Sequence, residues 1–254
     1  MEELVLYFSL KYEGDFQRIY DALMRKERID EELKHELKKK LKCHYTTLFS
    51  DDYPKMLKEI NCPPFVLYYY GDISLVNQKT IGVVGMRDVS EYGRAATHYF
   101  TTDLVKENYV IVSGMARGID KIAHQCAIHN QGKTIAVLGT GIEYCYPKEN
   151  KDIYEELKKH HLVMSEYPFQ VSPTRKLFPF RNRIVAGLSQ SVLITEAKSQ
   201  SGTMITAGYA LEQGKEVYCV PSRFNDFGGC NELIKQGAKL VMNVKDIIED
   251  EYMG

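Results

Sequence analysis

An α/β fold with a doubly wound, mostly parallel sheet is the class this sequence predicts, and three observations carry it. Short β-branched runs recur at regular intervals: "IGVVG", "VIVSG", "TIAVLG", "LVMSE", "SVLITEA" and "VYCVP". Segments with apolar residues at helical spacing lie between them, the alternation that sets parallel strands side by side. The runs are apolar throughout rather than at every second residue, as strands covered on both faces must be.

The elements follow in chain order. Residues 1–60 differ in texture from the rest: "FQRIYDALMRKERIDEELKHELKKKLKCHY" is dense in charge and free of Gly and Pro. Its apolar residues sit at helical spacing, which predicts two short helices in a small N-terminal helical module. The lysines Lys38, Lys39, Lys40 and Lys42 read as a solvated helix face balanced by nearby glutamates rather than as a nucleic-acid patch. After "CPPFVLYYYGD" the texture changes, and residues 61–254 form the α/β domain. Ser90 is positioned to cap a helix that buries Tyr92, Ala95, Ala96, Tyr99, Phe100 and Leu104 on one stripe. Further helices are expected from about Asp120 to Asn130, Asn150 to His160, Thr203 to Gln213 and Asn231 to Gln236.

Composition narrows the classes of function. A chain of 254 residues, 44% apolar and 26% charged, suits one large core with a small satellite. Six cysteines without a CxxC pair indicate reduced, buried thiols rather than a disulfide framework or a zinc site. No apolar run approaches a membrane span and the acidic start is unlike a signal peptide, so a cytoplasmic protein without membrane contact is expected. A net charge of −1 argues against coating nucleic acid by bulk charge and leaves room for one local anion site.

In an open α/β sheet, ligands bind beyond the carboxyl ends of the strands, and the unusual residues of this chain fall there. "IGVV" runs into Gly85, Met86 and Arg87; "VIV" runs into Ser113, Gly114 and Arg117; "TIAVL" runs into Gly139, Thr140 and Gly141; "SVLITEA" runs into Lys198, Ser201, Gly202 and Thr203. Glycine lets a backbone approach a ligand, and the N–H groups of a following helix favour an anion. Either the Ser201 or the Thr203 hydroxyl is suited to cap that helix. Four such turns on one edge, two with arginine, predict a phosphate-binding site. The chain has no GxxxxGK[ST], no GxGxxG fingerprint, no HExxH and no GxSxG, so no catalytic residue, metal or cofactor is expected.

The stretch "LFPFRNRIVAGLS" sets Arg181 and Arg183 beside Phe178 and Phe180, and Arg175 and Lys176 precede it. Guanidiniums fork onto phosphate oxygens, and an aromatic face stacks a base for about 1–3 kcal/mol, a pairing that suits single-stranded nucleic acid. Phe178 reads either as that stacking face or as a plug in the pocket floor, while Phe180 reads as a core plug. Asn182 is suited either to holding the local backbone or to meeting a phosphate.

The motifs "VVGMRDVSEYG", "VSGMARGIDKIAH", "TIAVLGTGIEYCYPKEN", "FPFRNRIVAGLSQSVLITEAKSQSGTMITAGYALEQGKEVYCVP" and "GCNELIKQGAKLV" strongly resemble the DprA/Smf family, DNA-processing protein A. The match runs collinearly from about Tyr53 to about Val241, some three-quarters of the chain. The resemblance implies an extended Rossmann-like core that binds single-stranded DNA, protects it, loads the RecA recombinase onto it in natural transformation, and forms a homodimer. Carried over by motif, the site comprises Arg87, Ser113, Gly114, Arg117, Arg175, Phe178, Arg181, Asn182, Arg183, Lys198, Ser201, Gly202 and Thr203. Met86 departs from the family's usual serine, and the resemblance points to a short form lacking the winged-helix-like domain of many members. The alternative from another class is a nucleotide phosphoribohydrolase resembling the LOG proteins. Their PGGxGTxxE motif ends in a catalytic glutamate, whereas "SQSGTMIT" puts Thr206 in that place, and a threonine cannot serve as a carboxylate base.

Overall fold

The computed structural model describes residues 1–223 and 228–253. Every one of the six apolar runs is a strand: β3 (Thr80–Val84), β4 (Val110–Ser113), β5 (Thr134–Gly141), β6 (Leu162–Tyr167), β7 (Ser191–Ile194) and β8 (Glu216–Cys219). Two strands precede them, β1 (His44–Thr47) and β2 (Val66–Gly71), and β9 (Lys239–Leu240) follows. Among the described residues the nine strands form one sheet in the order β1-β2-β6-β5-β4-β3-β7-β8-β9. The strands from β6 to β9 in that order pair in parallel, while β2 runs antiparallel to both β1 and β6. The doubly wound α/β expectation holds.

Strand alternation explains the unbroken apolar runs. On β3, Ile81 and Val83 pack with Phe100 and Leu104 of α5 (Glu91–Lys106), Ala123 of α6 (Ile119–His129) and Ile247 of α11 (Val244–Met253). Val84 points the other way, into a core shared with Ile184 and Val185 of α8 (Leu177–Gly187), Ala207 of α9 (Gly202–Glu212) and Leu233 of α10 (Gly229–Lys235). Both faces are covered, so neither set of side chains is polar.

Helix α5 begins at Ser90 as expected, with the Ser90 hydroxyl accepting the Gly93 N–H at 3.1 Å. Its buried face is different from the aromatic stripe read from the sequence. Tyr92, Ala95 and Tyr99 are exposed, and the buried set is Gly93, Thr97, Phe100, Thr101 and Leu104. Close approach to the sheet decides this: the Thr97 hydroxyl donates to the Gly93 carbonyl and lies 2.7 Å from that of Thr195, contacts a tyrosine would block.

The N-terminal segment holds three helices rather than two: α1 (Glu2–Lys11), α2 (Phe16–Met24) and α3 (Glu31–Lys40). Asp15 and Asp30 cap the second and third by accepting the Arg18 and Leu33 N–H groups. Lys38 pairs with Glu3 at 2.7 Å on an exposed face. The boundary placed at residue 60 falls inside the sheet's own segment, since β1 belongs to the sheet. Val5, Leu6 and Leu10 of α1 pack on Val66, Tyr68 and Val163 together with Tyr154 and Leu157 of α7 (Lys151–His160). Of the cysteines, Cys126, Cys219 and Cys230 are buried as expected, whereas Cys62 is exposed.

Candidate nucleic-acid interface

Strand order reverses at β3, because the chain winds outward through β4, β5 and β6 and then returns to the other side at β7. Two strands that lead in opposite directions leave a crevice beyond their carboxyl ends. A cavity of about 530 Å³ opens there. Its walls come from Gly85, Met86, Arg87 and Asp88 after β3, Gly114 and Ala116 after β4, and Asp120 of α6. Tyr146 and Arg175 contribute from the loops after β5 and β6, Phe178, Arg181 and Asn182 from α8, and Lys198, Ser201, Gly202, Thr203 and Thr206 from the turn into α9.

The turn after β7 leaves the start of α9 open. Neither Ser201 nor Thr203 caps that helix, contrary to the expectation, because the Ser201 hydroxyl turns back to donate to the Lys198 carbonyl at 2.8 Å. An eleven-residue helix thus presents its positive end to the cavity with no side-chain cap among the described residues. Asn182 ties the two walls together: its amide donates to the Gly202 carbonyl at 3.2 Å while its oxygen accepts from Arg181 Nε at 3.0 Å. Of the two readings left open for Asn182, the backbone contact is present.

The arginines divide into two kinds. Arg87 carries its guanidinium 5.6 Å from the Phe178 ring centre, and Arg175 is exposed at the rim. Arg181 is buried, and its Nη1 donates to the carbonyls of Gly114 and Val137. Burial pulls its pKa down to about 10, against the Asp120 charge, so it stays protonated at neutral pH. Arg183 lies outside the cavity wall. Its Nε donates to the Cys62 carbonyl at 2.9 Å, Nη1 to the Phe180 carbonyl at 3.0 Å, and Nη2 to Glu166 at 2.7 Å, with the guanidinium 3.7 Å from the Phe180 ring centre. Glu166 thereby holds an arginine, and burial pushes its carboxyl up while Arg183 pulls it down.

Three further expected residues sit differently from a direct ligand. The Ser113 hydroxyl is buried and donates to the Val83 carbonyl at 2.7 Å, locking β4 to β3. Gly114 is required by Arg181, since any Cβ there would collide with the guanidinium. Arg117 is exposed beside the cavity, its Nε 4.0 Å from Glu149. Phe178 is half-buried in the cavity wall, 5.6 Å from the Tyr146 ring, and its body closes over Gly139. Of the two readings of Phe178, the packed one is present, and the ring also lines the cavity beside Arg87.

Sequence reasoning gave Asp88, Asp120 and Tyr146 no place in the site, and took Thr206 only as the residue standing where a glutamate would be. Asp120 had a signal, an acid in the first turn of a predicted helix directly after a strand-end glycine turn. Its Oδ2 accepts the N–H groups of Gly114 and Ala116 at 3.1 and 3.2 Å. Burial pushes this carboxyl up, opposed by Arg181, by the two amides and by Arg87.

Comparison with known proteins agrees with this geometry. The family model described as DNA recombination-mediator protein A matches residues 44–251. DNA processing protein DprA of Bacillus subtilis is 42% identical over 204 residues, covering 79% of this chain and 69% of the relative. The X-ray structure of DNA processing protein A from Streptococcus pneumoniae superposes with a TM-score of 0.81 at 35% identity, over 98% of this chain and 93% of that one. DNA processing protein A from Helicobacter pylori, whose structure is described as giving insight into a unique single-stranded DNA binding mode, matches with a TM-score of 0.75 at 31% identity, over 83% and 97% of the two chains. With a family match across the whole sheet and relatives of this identity and coverage, the chain belongs to the DNA recombination-mediator protein A (DprA/Smf) family.

Proposed function

We propose that this protein binds single-stranded DNA in the cavity at the β3/β7 switch point. The observation that carries the reading is one cavity lined by three kinds of group: the cations Arg87, Arg175 and Lys198, the start of α9, and the Phe178 ring. Phosphodiesters meet the cations and the helix end, and a base meets the ring. The relative from Helicobacter pylori, described by its single-stranded DNA binding mode, supports the choice of ligand. Thr206 weighs against the phosphoribohydrolase alternative, since its hydroxyl lies against the Gly202 carbonyl at 3.3 Å and offers no carboxylate.

Within that reading the protein acts without catalysis in the cytoplasm, protects incoming single strands and loads RecA onto them as a homodimer. Two cavities on one strand raise the effective local concentration to the millimolar range, which supports pairing of two copies. Light scattering at micromolar concentration gives a dimer mass on this reading, and a monomer counts against it. A gel-shift with single- and double-stranded oligonucleotides at two salt concentrations tests the ligand. Preference for the single strand, weakening with salt, is expected; equal or tighter binding of duplex overturns it.

A further inference from the structure

The cavity contains a carboxylate that an anion site does not obviously need. Asp120 is 6% exposed and lies in the wall with Arg87, Arg175, Arg181 and Lys198. Its Oδ2 takes the N–H groups of Gly114 and Ala116, the two amides that the turn after β4 would otherwise offer to a phosphate. The anion nest of that turn is thus filled from within. Arg181 cannot swing out to neutralise a ligand, because its Nη1 is held by the carbonyls of Gly114 and Val137. Among the described residues the wall carries four cations and two carboxylates, Asp88 and Asp120.

We propose that Asp120 is a specificity-determining residue that sets how much negative charge the cavity accepts, lowering its preference for a doubly charged terminal phosphate relative to the singly charged phosphodiester of a strand. This rests on the single-stranded DNA reading above and names which phosphate chemistry the same site takes. A phosphodiester brings one negative charge and a phosphate monoester at pH 8 brings nearly two. The second charge is drawn by the same cations, but it also meets the Asp120 carboxylate, which offsets part of that attraction. At an effective dielectric of about 20 and a separation of roughly 10 Å, that repulsion against one extra charge weakens monoester binding by a factor on the order of ten. The device fits a protein that must grip the interior of a strand while free nucleotides surround it.

The test is direct calorimetric titration at pH 8 with two ligands that differ by one charge: thymidine 5′-monophosphate and its 5′-methyl phosphodiester. Asp120→Asn removes the charge and keeps an oxygen for the Gly114 and Ala116 amides. Asp120→Ser is a second neutral variant should the first fail to fold, and Asp120→Glu keeps the charge. The ratio of diester to monoester affinity is expected to fall about tenfold in the neutral variants and to stay at the wild-type value in Asp120→Glu. An unchanged ratio in a neutral variant with native circular dichroism overturns the proposal. So does failure of both nucleotides to bind wild type and neutral variants alike. Binding of a labelled oligothymidylate, measured separately, reports on the single-strand reading itself: its failure beside a shifted ratio removes DNA as the ligand and leaves the charge filter standing.

Discussion

Phe178 carries a ring without a charge and Arg87 carries a charge beside that ring, so the two side chains separate stacking from phosphate contact. Arg87→Ala is expected to weaken single-strand binding and to flatten the slope of log affinity against log salt by about 0.7. Phe178→Ala is expected to cost about 1–3 kcal/mol of affinity with the slope unchanged. Fluorescence anisotropy across a salt series reads both, after circular dichroism shows each variant native. Wild-type affinity in Phe178→Ala would assign that ring to packing against Gly139 alone. At this scale the sequence displayed the residues that end strands, because a glycine or a cation after a β-branched run stands out locally. It did not display which cations are occupied. Arg181 and Arg183 look alike in "FRNR", yet the carbonyls of Gly114 and Val137 hold one and Cys62, Phe180 and Glu166 hold the other. Those partners lie up to 121 positions away and leave no local trace.

Helix α8 is the element that delivers Phe178, Arg181 and Asn182 to the cavity, and Arg183 fastens it to the sheet through Glu166 at the end of β6. Removing one partner of such a pair leaves a buried charge uncompensated. Arg183→Ala is therefore expected to destabilise the fold by roughly 3–5 kcal/mol, and the double variant Arg183→Met with Glu166→Gln to recover much of it. Urea denaturation of wild type, Arg183→Ala, Arg183→Met, Glu166→Gln and the double variant checks this, and an additive double variant would mean the pair contributes nothing as a pair. Periodicity did not reveal α8 in the sequence: Pro179 sits in its first turn and two arginines interrupt its apolar face, so its helical spacing is masked. Six of the seven parallel strands were legible because burial on both faces makes them unmistakably apolar. Strands β1 and β2 were not. Their segments are short and rich in tyrosine, and they join the sheet only because β2 pairs with β6 and β1 with β2.

At the scale of the molecule, the buried His124 links stability to pH. The Thr134 hydroxyl already donates to the Ile111 carbonyl, so His124 Nδ1–H donates to the Thr134 oxygen at 2.7 Å, and Nε2 has no hydrogen-bond partner among the described residues. Burial drops the imidazole from its ordinary 6.5 to about 3. The unfolded chain then binds a proton that the fold refuses, so stability falls as pH drops from about 6.5 towards about 3, by about 1.4 kcal/mol per pH unit. Asp120 and Glu166, raised by burial, act in the opposite sense and add stability as pH falls. His124→Gln is expected to lose the histidine's share of the acid limb, and urea midpoints from pH 7 to pH 4 for both proteins report it; parallel curves would rule out His124 as the cause. The strand order that opens the crevice also governs when the crevice can exist. Its two sides, β3 and β7, meet by pairing Ile81 with Ser191, and the Thr80 hydroxyl reaches the Leu188 carbonyl across 108 positions of chain. Contacts that distant pay a large loop-closure entropy before they return any stability, and they form late in folding. A nascent or half-folded chain has the cations but no wall to hold them together, so grip on a ligand reports that the whole sheet has closed.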